Sequence, residues 1–248
     1  MYAGRLGRRV RTSLAVRLDP GADTALALAT TVTFSFIYFF GARLDSALAS
    51  FLVFTVLGTG ITCVLLPAFY VLVVRGEGLG ALGITARRWR LALAISAFLA
   101  AGSFPGLLRA AAHPGVDLAP HLLVNALALW EPFFVFGWLQ LRFERAFGVL
   151  PGAVLAALSF GVYHLGTFPL SAVLALVGFG LLYAALFRAL GATLLALWPL
   201  AWAVGSGIGT LQGGFAFGWA SVPGAVVLLL AQAGVIMVFA RRSPPRTR

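Results

Sequence analysis

The chain has no lysine, one cysteine (Cys63), one asparagine (Asn125), three histidines and seven acidic residues among 248. Each shortage excludes something. A single cysteine cannot build a disulfide framework. Charged residues make up 10% of the chain, against about 25% in an ordinary soluble domain. A composition 61% hydrophobic, with mean hydropathy +0.99, excludes a disordered chain as well. What charge there is comes almost wholly from 18 arginines, and the net charge is +11. In a soluble chain that excess would point to nucleic acid. In a chain this apolar it points to a bilayer, so nucleic acid is not an expected partner.

A spanning helix needs about 20 apolar residues. On that measure the sequence predicts eight: Thr24–Ala42, Ala47–Val74, Leu91–Ala111, His121–Leu141, Pro151–Gly166, Leu170–Phe187, Thr193–Leu211 and Val222–Ala240. The expected fold class is all-α, a polytopic membrane helix bundle. A basic tail (1–23) precedes a single transmembrane domain (24–240), and a second basic tail (241–248) follows. With the N-terminus inside, Arg5, Arg8, Arg9, Arg11, Arg17, Arg75, Arg87, Arg88, Arg90, Arg142, Arg145, Arg188, Arg241, Arg242, Arg246 and Arg248 are all cytoplasmic. Only Arg43 and Arg109 are outside. Adding or losing one span would scramble this asymmetry, which is the one the positive-inside rule demands. Both termini are therefore expected in the cytoplasm, and the protein in the cell membrane. The first span is longer than a signal-peptide core and is read as a retained anchor. The loop Gly76–Arg90 (GEGLGALGITARRWR) reads as a topology-setting loop or a short interfacial segment with Trp89 at headgroup level. Abundant Ala, Gly and Arg with no Lys is the composition expected of a GC-rich prokaryotic genome.

Six of the acids fall in tails, loops or span ends. Glu131 does not: it lies mid-way along the fourth span, roughly 15 Å from either face. An acid at that depth costs roughly 2.5–3.5 kcal/mol and faces the bundle interior with a partner. Pro132 follows it and predicts a kink, because a mid-helix proline frees the carbonyl four residues back, that of Ala128. His164 in the fifth span reaches similar depth on the adjacent antiparallel helix, so it is the expected partner. Phe160, one turn away, is placed to pack over the imidazole. His113 and His121 flank the third and fourth spans and are read as solvent-exposed. Small residues around His164 (Ala156, Ala157, Ser159, Gly161, Gly166) allow a close helix approach, as do Gly205 and Gly209 in the seventh span.

The segment Trp130–Phe168, WEPFFVFGWLQLRFERAFGVLPGAVLAALSFGVYHLGTF, resembles the CPBP family of polytopic intramembrane proteases, also called Abi or CAAX-protease-like. That family carries EExxxR, then FxxxH on the next helix, then HxxxN or HxxxD on a later one. Glu131 matches the first Glu, and Phe160 with His164 matches FxxxH. The resemblance spans about residues 79–214. The departures concern chemistry. Pro132 stands where the second Glu belongs, and Phe136 where the Arg belongs. Ala203 and Gly207 stand where the third motif's His and Asn or Asp belong, and no histidine follows His164.

The resemblance implies that Glu131 and His164 would activate water for peptide hydrolysis. What remains to hold an oxyanion is Ser206, Thr210, Trp202 Nε1 or backbone amides, and losing one such donor costs about 10²–10³ in rate. No cofactor is expected. A catalytic zinc takes three protein ligands, and the sequence places two, so no metal is expected either. Three readings follow. The first is a family member without proteolysis, binding a hydrophobic membrane peptide or a partner helix in the old cleft. The second is an intramembrane endopeptidase with a reduced site of Glu131 and His164, lined by Phe160, Pro132, Trp202 and Ser206. The third is a proton-coupled transporter relaying through the same pair.

Overall fold

Runs of apolar residues with few breakers form helices wherever they are long enough to satisfy their own backbone. The computed structural model describes residues 15–112, 115–211 and 216–242, and helices dominate them. We number them α1 (Ala22–Gly41), α2 (Ala47–Val74), α3 (Trp89–Ala111), α4 (Leu118–Leu127), α5 (130–147), α6 (Val149–Val162), α7 (Leu170–Ala189), α8 (198–211) and α9 (Val222–Arg242). Ser46 and Asp117 cap α2 and α4, their side chains accepting from the amides of Ala49 and Ala119. No strand is assigned among the described residues. His113 and most of both basic tails lie outside the described residues.

Six helical stretches are long and apolar enough to cross a membrane: α1, α2, α3, α4 with α5, α7, and the one ending in α9. This is a multi-pass helical bundle, with six such stretches where eight spans are expected. The two that fall short are the predicted fifth and seventh. α6 has 14 residues, about 21 Å, and ends at Val162, where Tyr163 and His164 enter a turn. The seventh begins as a short 3-10 turn, Leu194–Ala196, before α8.

α5 sits at the centre. Every residue from Phe133 to Gln140 is buried, as in a helix surrounded by others. α6 packs between α5 and α7, α3 packs on α8, and α9 lies along α2 and α4. Gly161 and Gly180 let α6 and α7 approach until backbone and side chain touch. Gly148 turns the chain from α5 into α6 with φ +95°, and a Cβ there would strike the Ala15 carbonyl. The outer faces are apolar, with Phe36 60%, Phe98 78% and Leu230 65% exposed. Apolar surface on that scale marks a face that contacts lipid or another protein.

The loop Gly76–Arg90 does more than set topology or lie at an interface. Leu82 is fully buried, and its carbonyl lies so close to Gly137 of α5 that a Cβ there would come within 2.5 Å. The Leu194 amide donates to Gly83 and the Thr193 hydroxyl to Thr85, which ties this loop to the one after α7. Beside it lies a group of ions. Arg142, with no exposed side-chain surface, lies 3.3 Å from Asp23 and 3.5 Å from Glu77, and donates to the Ala81 carbonyl at 2.7 Å. Arg145 pairs with both oxygens of Glu77. The start of α1 and the ends of α2 and α5 therefore meet at one end of the bundle. Glu77 lies outside the spanning helices. Burial pushes its carboxyl up, but the Arg145 hydrogen bonds and the charges of Arg142 and Arg145 outweigh this and hold it below its ordinary value.

Candidate functional site

The predicted kink is a full break. α4 stops at Leu127, Ala128 leaves helical geometry (φ −79°, ψ 63°), and α5 starts at Trp130. Pro132 thus lies in the first turn of a new helix, where a missing N–H costs little. Glu131 lies in the same turn, where the helix N-terminus favours an anion. The proline frees no mid-helix carbonyl; the break one turn earlier has already done so.

Glu131 and His164 come together. His164 Nε2 is 4.0 Å from Glu131 Oε1. The shorter contact comes from a residue the sequence reading missed: the Tyr163 hydroxyl donates to Glu131 Oε1 at 2.5 Å. His164 Nδ1 lies 2.8 Å from the Phe160 carbonyl. A carbonyl can only accept, so Nδ1 carries the proton, and in the neutral ring Nε2 presents its lone pair toward Glu131. The pair therefore bonds directly only when one proton is shared between carboxyl and imidazole. Glu131 keeps 29% of its side chain accessible, while His164 keeps 6%.

The imidazole is enclosed by rings. Tyr163 lies 4.3 Å away, Tyr38 5.1 Å, Phe168 5.4 Å and Phe160 5.6 Å between centroids. Phe136 packs on Phe160 at 6.2 Å, so a further aromatic ring backs this side of the site. Tyr38 was also missed; it comes from α1, and no local spacing links it to the site. Tyr163 had one local signal, a hydroxyl beside the histidine at the depth of the acid.

Trp202 and Ser206 are placed elsewhere. Trp202 Nε1 donates to the Leu122 carbonyl of α4, and the Ser206 hydroxyl donates to the Trp202 carbonyl. They belong to a second polar cluster built on His121. That histidine, read as solvent-exposed, is fully buried. Its Nδ1 accepts from the Phe217 amide at 3.3 Å and its Nε2 donates to the Ser206 carbonyl at 2.8 Å, a neutral tautomer with both nitrogens occupied. Thr210, the other hydroxyl considered as an oxyanion donor, also lies in this cluster, 3.1 Å from His121 Nε2. The cluster ties α4 to α8 and to the chain leading into α9.

Pro132 lines an apolar hollow of about 380 Å³ on the flank of α5, with Trp130, Phe133, Trp198, Gln232 and Ile236. Glu131 and His164 are not among its walls. Among the described residues no three of His, Cys, Asp and Glu gather as metal ligands. No protein-family model matches the chain, and neither curated proteins nor solved structures give a match.

Proposed function

We propose that this is a membrane protein of CPBP-like architecture that binds a hydrophobic membrane peptide or partner helix without cleaving it. One observation carries the reading. Glu131 and His164 stand together, but Trp202, Ser206 and Thr210, the side chains that would hold an oxyanion, are engaged around α4 and His121. Peptide hydrolysis needs donors about 3 Å from the developing oxyanion, so water activation alone leaves the reaction slow. The apolar hollow beside the break suits a side chain of the bound segment.

In this reading the chain crosses the cell membrane eight times, with α6 and α8 as short crossings and both termini in the cytoplasm. The meeting of Asp23, Arg75, Glu77, Arg142 and Arg145 at one end supports it, because these residues lie in segments assigned to the same side. Cysteine-accessibility labelling at position 43 against position 87 tests the orientation; labelling of both from one side would overturn it.

The endopeptidase reading has one observation in its favour, the partly accessible Glu131 side chain 4.0 Å from His164 Nε2. Incubating the purified protein with a library of hydrophobic peptides separates the two. We expect no cleavage. Cleavage abolished by both Glu131→Gln and His164→Ala would overturn the binding reading.

A further inference from the structure

A second hollow, about 360 Å³, lies at the end of the bundle where α5 turns into α6. Its walls include three arginines, Arg17, Arg145 and Arg188, and one acid, Glu144. Arg145 is engaged with Glu77, and Arg188 lies 3.4 Å from Glu144. Arg17 has no ion-pair partner among the described residues. It is held in place by its backbone: its amide donates to Phe147 and that of Asp19 to Ala146, each at 3.0 Å, which straps the segment across the turn at Gly148. The first turn of α6 opens into the same hollow through Gly148 and Val149, adding the positive end of a 14-residue helix.

The surroundings say what kind of anion fits. Leu141 and Val149 line the hollow beside the arginines, and Val16, Leu18 and Leu150, next to Arg17 and Val149 in the chain, are 76%, 84% and 51% exposed. A small soluble anion makes no use of these apolar neighbours. A phospholipid does: its phosphate meets the guanidiniums and its acyl chains lie on the leucines and valines. We infer that this hollow holds the phosphate headgroup of an anionic phospholipid. The inference needs only that the bundle sits in a bilayer, and it is independent of whether the chain cleaves peptides.

The test uses the full chain in nanodiscs of phosphatidylcholine doped with phosphatidylglycerol, with native mass spectrometry counting retained lipid. We expect preferential retention of phosphatidylglycerol, weakened about fivefold by Arg17→Gln and again by Arg188→Gln. Arg109→Gln, at a helix end remote from the hollow, serves as the control and should leave retention unchanged. Far-ultraviolet circular dichroism confirms that each variant is folded. Equal retention of the two lipids, or retention unaffected in folded Arg17→Gln, would overturn the site. So would competition by millimolar inorganic phosphate without any preference for lipid, because that would make the occupant a free anion.

Discussion

Two of the polar groups within this apolar molecule are built on opposite plans. The end cluster sets two carboxylates, Asp23 and Glu77, among three guanidiniums, Arg75, Arg142 and Arg145. The mid-bundle group has one carboxyl group and no guanidinium; its partners are a phenol and an imidazole ringed by aromatics. In the first, charge meets charge and the geometry locks helix ends together. In the second, the acid keeps an unmet demand for a proton or a donor. Compensated charge makes structure, and an acid left without a guanidinium makes a place where a ligand or a proton can act.

The comparison breaks most sharply at Arg142. Arg142→Met removes the buried guanidinium between Asp23 and Glu77, which keep Arg75 and Arg145, and leaves the Ala81 carbonyl without its donor, so unfolding in detergent should become easier by about 3 kcal/mol. An unchanged melting temperature would mean that the cluster does not hold the helix ends. His164→Leu removes the imidazole facing Glu131 and the hydrogen bond to Phe160, and we expect a loss of about 1–3 kcal/mol. No loss would show that the mid-bundle contact is not made.

Acid sharpens the contrast. Because the folded Glu77 carboxyl lies below its ordinary value, its contribution is complete above that value. It is lost as pH falls through the depressed folded value. The melting temperature should therefore decline on that acid limb, and Glu77→Gln should flatten the decline. Glu77→Gln itself should cost about 1 kcal/mol at neutral pH, discounted because Arg145 is half exposed. An acid limb unaltered by the substitution would assign the effect to other carboxylates. The smallest change is Tyr163→Phe, which deletes one hydroxyl donor to Glu131 and should cost about 0.5–1.5 kcal/mol. A stabilised Tyr163→Phe would show that Glu131 is satisfied from elsewhere.

Hydropathy and residue spacing were enough to reach the all-helical bundle, the isolation of Glu131, and its pairing with His164. These rest on length and depth, which a run of residues carries in itself. They did not reach Tyr163, Tyr38 or the burial of His121. Those depend on how each helix is rotated, and on contacts between residues as far apart as Tyr38 and His164. Nor did they reach the break at Ala128, since Pro132 reads the same inside a helix and in its first turn.

Sequence alone established that the chain forms helices long and apolar enough to cross a membrane, and that one acid stands away from the tails and loops, because length, apolar content and position along a run are carried by the residues themselves. Tertiary structure decided which groups meet that acid. It also drew Trp202 and Ser206 away to α4 and docked the Gly76–Arg90 loop onto Gly137. Buried donors and acceptors must find partners, and which partner is within reach is a property of the packed bundle.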